Sequence, residues 1–106
     1  MKHRIFLIFA LLSLFSGGEM FAQEINFSKE TFLDANMTLP YRKATIPGYG
    51  DKASLVIYLH GGSSKGNDNE IQMQEPGINS IATWLSDNNH KAIMLVPQCP
   101  TDKAWL

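Results

Sequence analysis

The residues with chemical potential gather in one stretch. His60-Gly61-Gly62 follows the apolar run Leu55-Val56-Ile57-Tyr58-Leu59, and a polar segment, Ser63 to Glu75, comes after it. Adjacent glycines let backbone N–H groups approach a ligand oxygen closely. Two donors aimed at a developing oxyanion would stabilise the tetrahedral intermediate of acyl transfer, and loss of one costs roughly 3 kcal/mol. Gly62-Ser63-Ser64-Lys65-Gly66 also matches G-x-S-x-G, which would make Ser64 a nucleophile. That turn must enter a helix at once, whereas Asn67-Asp68-Asn69-Glu70 shows no helical periodicity. Asp87 and His90 would complete a Ser, Asp, His order, but they fall at the wrong end of the next helix. A phosphate-binding loop is excluded, because Asn67 stands where that motif needs Lys.

The remaining candidates read more plainly. His60 is expected to hydrogen-bond the loop rather than act as a base or metal ligand. Asp68, Glu70 and Glu75 suit no standard metal loop and read as solvated acids, so no metal is expected. Cys99 is the single Cys, which rules out an internal disulfide; it reads as a packed thiol. His90 reads as a surface residue, and Trp105 either lines a pocket or packs. Asn36-Met37-Thr38 fits a glycosylation acceptor in a host that modifies secreted proteins.

The elements that must position this loop follow from periodicity. Leu55–Leu59 is a continuous apolar run and reads as a strand covered on both faces. Ile78, Ile81, Ala82 and Leu85 lie on one helical face, predicting a helix from 78 to about 86. Ala92-Ile93-Met94-Leu95-Val96 is a second apolar strand, stopped by Pro97. Strand, loop, helix, strand is a βαβ unit, and the loop lies at a strand's carboxyl end, where open α/β sheets bind ligands. Met37–Ile46 reads as a further strand, with Pro40 arguing for a sheet edge. Pro47 to Asp51 reads as a turn. Glu24 to Asn36 is compatible with a lead-in strand or a short helix. One helix cannot cover both sheet faces, so further helices are expected beyond Leu106.

Composition narrows the class. The chain has 106 residues and a net charge of −1, with no basic patch to suggest nucleic-acid binding. Lys2, His3 and Arg4 precede the apolar run Ile5–Phe15, and Met20-Phe21-Ala22 precedes a polar stretch. This is the layout of a secretory signal peptide cut after Ala22. The run falls short of the roughly 20 residues that span a bilayer, so no stable membrane anchor is expected. The expected organisation is a signal peptide over 1–22, a lead-in segment over 23–36, and an α/β domain over 37–106, secreted or periplasmic.

The stretch LVIYLHGGSSKGNDNE, the helix after it, and AIMLVPQCP with Trp105 resemble the front of secreted α/β-hydrolases of the "predicted peptidase" and polyhydroxybutyrate-depolymerase-like esterase group. The resemblance covers about Leu39 to Leu106. It implies a partial α/β-hydrolase fold, made of the N-terminal strands and first crossover helix of a mostly parallel sheet. It also implies hydrolysis of a small-molecule ester or peptide substrate through an acyl-enzyme, without a cofactor. Gly62 would supply an oxyanion-hole N–H, with Gly61 and His60 shaping the loop. Nucleophile, acid and base would all follow Leu106, so these 106 residues alone are expected to be inactive. Two rivals stand beside this reading: a small secreted α/β binding module without catalysis, and a minimal hydrolase using Ser64. Oligomeric state and the choice between esterase and peptidase stay open.

Overall fold

A computed structural model of the protein describes residues 25–106; the expected signal peptide and its cut after Ala22 lie outside the described residues. Four strands form one mixed sheet: β1 (Ser28–Asp34), β2 (Met37–Ile46), β3 (Tyr49–Ile57) and β4 (His90–Pro97). A single α-helix, α1 (Pro76–Asp87), lies between β3 and β4 in the chain. The spatial order is β1-β2-β4-β3.

The sheet is not mostly parallel, contrary to expectation. β1 pairs antiparallel with β2, and β2 antiparallel with β4; β3 and β4 are parallel. The reason is connection length. Ala35 and Asn36 allow only a tight reversal between β1 and β2, whereas the helical crossover returns the chain along its original direction. Ser28–Asp34, within the lead-in segment, is therefore an edge strand of the same sheet.

Pro40 does not mark a sheet edge, because β2 is internal. It escapes the usual penalty by its position. The β2–β4 pairing begins at Tyr41, one residue later, so the missing N–H removes no ladder bond. The Pro40 carbonyl still accepts the Gln98 N–H at 2.9 Å. The turn after β2 is also shorter than expected, since Tyr49 already belongs to β3. Gly48 makes it possible: a Cβ there would meet the Lys91 backbone nitrogen at 2.1 Å.

The two sheet faces differ. Ala44 and Ile46 of β2 and Ala92, Met94 and Val96 of β4 are buried beneath α1, against Ile78, Ala82 and Leu85. Burying each large aliphatic side chain contributes about 1.5–3 kcal/mol. Residues one step along each strand point the other way. On that face Leu55 is 63% exposed and Ile57 53%, while Phe32, Leu39, Tyr41, Leu95 and Pro97 line a shallow apolar hollow beside Ile57. No described element covers it, so the apolar run of β3 is covered on one face and not on two.

Helix α1 runs two residues earlier than its apolar face suggests. Pro76 occupies the first position, where its missing N–H is harmless. At the other end Asn89 adopts φ 52°, turning the chain into β4.

Candidate functional site

β3 and β4 end side by side, and the chain beyond each end builds one site. The Tyr58 N–H donates to the Leu95 carbonyl at 2.9 Å, carrying the pairing one residue past β3. His60 follows and is 4% exposed. Its Nδ1 lies 2.6 Å from the Gly61 carbonyl, and its Nε2 lies 2.9 Å from the Cys99 N–H. A carbonyl only accepts and an amide N–H only donates, so Nδ1 carries the proton and Nε2 accepts. Both ring nitrogens are thus engaged, and the ring ties the loop after β3 to the segment after β4. Trp105 closes over it: the indole Nε1 donates to the His60 carbonyl at 3.0 Å, with ring centroids 5.1 Å apart.

Gly61 and Gly62 come next. Gly61 is extended at φ −81°, ψ 177°, and Gly62 opens a short 3-10 turn ending at Ser64. The Gly61 N–H donates to Glu75 Oε2 at 2.8 Å. That donor is therefore occupied. Among the described residues the Gly62 N–H meets no acceptor, and a Cβ built on Gly62 would meet nothing within 4 Å. Of the glycine pair, Gly62 is the one whose N–H is left unbound.

Ser64 occupies a different setting. Its side chain is fully buried, and its hydroxyl donates to Glu75 Oε2 at 2.8 Å while accepting from Gln74 Nε2 at 3.4 Å. A nucleophile needs access to substrate and a base able to take its proton; a buried hydroxyl bonded to a carboxylate and an amide has no such access. The 3-10 turn leads to Lys65 in extended conformation, not into a helix. His90 and Asp87 lie at the opposite end of the sheet. There His90 Nε2 lies 2.8 Å from Ser54 Oγ, both exposed, with the Trp84 ring 6.4 Å away.

The three acids go to different partners; Asp68 and Glu70 are exposed, as expected of solvated acids, whereas Glu75 is half-buried. Glu70 pairs with Lys29 and with Arg42 Nη2, the latter at 3.1 Å. Asp68 accepts from Gln98 Nε2 at 2.9 Å and from the Glu70 and Ile71 N–H groups. Glu75 accepts from Tyr58 through Oε1 and from Gly61 and Ser64 through Oε2. Burial alone would push the Glu75 carboxyl up, but the bonds from Ser64, Gly61 and Tyr58 together hold it below the ordinary range. Tyr58 responds in the opposite sense: its bond to Glu75, then burial and the nearby negative charge, push its hydroxyl above the ordinary value. Among the described residues, no three His, Cys, Asp or Glu side chains converge as a metal site.

Asn69 is the hub beneath the loop. It sits at φ 55°, a region Asn tolerates better than most residues. Its Nδ2 donates to the Glu30 and Tyr41 carbonyls, its Oδ1 accepts from Gln72, and its N–H donates to Gln98 Oε1. Its own carbonyl accepts from Arg42 Nε at 2.7 Å. One residue thus joins β1, β2, the loop and the segment after β4, its side chain reaching the first three and its backbone N–H the last. Sequence reasoning noted Asn69 and Gln98 within motifs but gave them no task, read Glu75 as a solvated acid, and missed Gln72 altogether. The available signal was the run of amide and acidic residues after a Gly-Gly pair, which need partners if the loop is packed. Gly77 was also missed. A Cβ there would meet the Tyr58 hydroxyl at 2.9 Å, so the bare backbone lets Tyr58 reach Glu75.

No protein-family model matches the chain, and no curated protein does. One solved structure it resembles is the crystal structure of a thermostable esterase, at 28% identity and a TM-score of 0.53. The likeness covers 74% of this chain and 22% of that one, so this chain spans about a fifth of that esterase's length. The sheet, its crossover helix and the loops at their carboxyl end have an esterase-like fold.

Proposed function

We propose that these residues form the oxyanion-bearing part of a secreted serine hydrolase of the α/β-hydrolase type, cleaving an ester or peptide bond through an acyl-enzyme. The observation that carries this reading is the Gly62 N–H, left without an acceptor on a tightly bonded loop at the carboxyl end of a parallel strand pair. The similarity to an esterase supports it. In the reaction, a serine hydroxyl attacks the substrate carbonyl carbon and the oxygen takes up negative charge. The Gly62 N–H meets that charge, which is greatest in the transition state, so the donor lowers the barrier more than it tightens substrate binding. Collapse expels the alcohol or amine, and water then releases the acid. The serine of this reaction is not Ser64 and comes from sequence other than the described residues. A leader over residues 1–22 would route the protein out of the cytoplasm.

The test uses the full-length gene product. A fluorophosphonate probe is expected to label it at a serine other than Ser64, and Ser64→Ala is expected to label like the parent. Gly62→Pro deletes the N–H with little backbone disturbance. Gly61 already has the extended conformation a following proline requires, and Gly62 starts a helical turn. Turnover should fall about 100- to 1,000-fold. Failure to label any residue would remove the hydrolase reading and leave the binding module.

A further inference from the structure

Glu75 stands in the first-turn boundary position of α1, where Ser, Thr, Asp or Asn would normally satisfy the free helix N–H groups. It makes no such cap bond. Its carboxylate turns back toward the loop instead. Oε2 receives both the Gly61 N–H and the Ser64 hydroxyl at 2.8 Å, and Oε1 receives the Tyr58 hydroxyl at 3.0 Å. Three donors from three separate points of the chain converge on one side chain: the end of β3, the glycine pair and the 3-10 turn. The acceptor that takes Gly61 also decides which glycine keeps its donor free. With the Gly61 N–H bound to Glu75, the Gly62 N–H is the one left without an acceptor among the described residues.

We propose that Glu75 is the positioning residue of the oxyanion loop: by binding the Gly61 N–H and the Ser64 hydroxyl it fixes the direction of the Gly62 N–H. This rests on the hydrolase reading for its consequence in catalysis, but not for its geometry. Glu75 itself touches no reacting atom. Its effect is orientation, and a donor displaced by about an ångström costs up to roughly 100-fold in rate. The carboxylate works here through acceptor geometry rather than through net charge, since a negative charge so close would by itself oppose a developing oxyanion.

Three variants of the full-length protein separate the possibilities. In Glu75→Gln, the amide oxygen can take the Oε2 place and accept from Gly61 and Ser64, while its NH2 donates to the Tyr58 oxygen. Turnover should stay within about threefold of the parent. Glu75→Asp keeps the charge but is one carbon too short to hold all three donors, and should fall well below Gln. Glu75→Ala should fall about 10- to 100-fold in kcat with little change in KM, as expected when a group acts only in the transition state. Selective 15N-glycine labelling gives the independent readout. The Gly61 amide proton should lie downfield in the parent and in Gln and move upfield in Ala. A Gly61 resonance unchanged in Ala, or kcat of Gln as low as that of Ala, would overturn the proposal. If Ala does not fold, the order of Gln above Asp decides, because a role of charge alone predicts the reverse. If the parent turns over no ester or peptide, the hydrolase reading fails, while the Gly61 resonance still decides the positioning role.

Discussion

The two ends of the parallel pair β3–β4 hold the same residue types in opposite conditions. At the carboxyl end stand His60, Ser64 and Trp105; at the amino end stand His90, Ser54 and Trp84. The amino-end pair has the shorter approach to a catalytic dyad, with Ser54 Oγ 2.8 Å from His90 Nε2. Yet both residues are exposed, and no convergent donors or buried acceptors surround them. At the carboxyl end the His and Ser do not bond each other at all. Each instead binds backbone, acid or amide partners, and the result is a loop held at many points, with the Gly62 N–H among the donors left unbound. A serine beside a histidine is thus a weaker sign of chemistry than a fixed loop with an unused donor, because catalysis draws on groups that are already oriented.

The difference can be tested by breaking each end in turn. Asn69→Ala should be the most damaging, at about 3–4 kcal/mol, since it strands the buried Gln72 amide and two part-buried carbonyls and places Ala at positive φ. Urea denaturation of the full-length protein measures it; a loss under about 1 kcal/mol would mean the hub is not holding the loop. His60→Ala should follow at about 2–3 kcal/mol, from the unpaired Cys99 N–H and the space left beneath Trp105.

Acid should loosen the same end. Gln98 and two backbone N–H groups hold the Asp68 carboxyl below its ordinary value, and Lys29 does the same for Glu70. Glu75 is held low by its own three donors, against the opposing effect of burial. For each group the unfolded chain binds protons more readily, so stability rises with pH across the window between folded and unfolded values. That stability is present at neutral pH and is lost as pH falls from the ordinary values of 3.8 for Asp and 4.5 for Glu through the lowered ones. Amide protection factors at Gly61 and Asn69 should therefore fall on acidification earlier than those in β2 and β4. A uniform fall along the chain would show that the loop is not a separate unit.

The smallest effect belongs to the amino end. Ser54→Ala and His90→Ala should each change stability by less than about 0.5 kcal/mol and leave turnover intact. A large loss of turnover in either would reverse the comparison and move the site to the other end of the sheet.

The elements were legible from sequence to differing degrees. Ala92–Val96 and the face of Ile78, Ala82 and Leu85 stand out because burial imposes period on apolar residues. β1 was not decidable, since its residues are mostly exposed and period is faint where nothing is buried. Pro40 misled for a definable reason: proline excludes a ladder bond at its own position, not an internal strand whose pairing with its second neighbour begins one residue later. In the site, the His-Gly-Gly signal pointed to the right loop, because the glycines and the end of an apolar strand are local features. The tasks of Glu75 and Gln98 were invisible, because their partners lie 11 to 17 and at least 29 residues away in the chain.

By itself, the sequence determined two apolar strands, the helix between them and the place of a glycine loop at a strand's end. Each of these follows from which residues avoid water and which backbones lack a Cβ. Only the tertiary structure decided that β4 slips between β2 and β3, that Ser64 is buried against a carboxylate, and that Gly62 rather than Gly61 keeps a free N–H. Those outcomes depend on which donor meets which acceptor across distant segments. No local pattern carries that information, because a hydrogen bond is settled by the position of both partners.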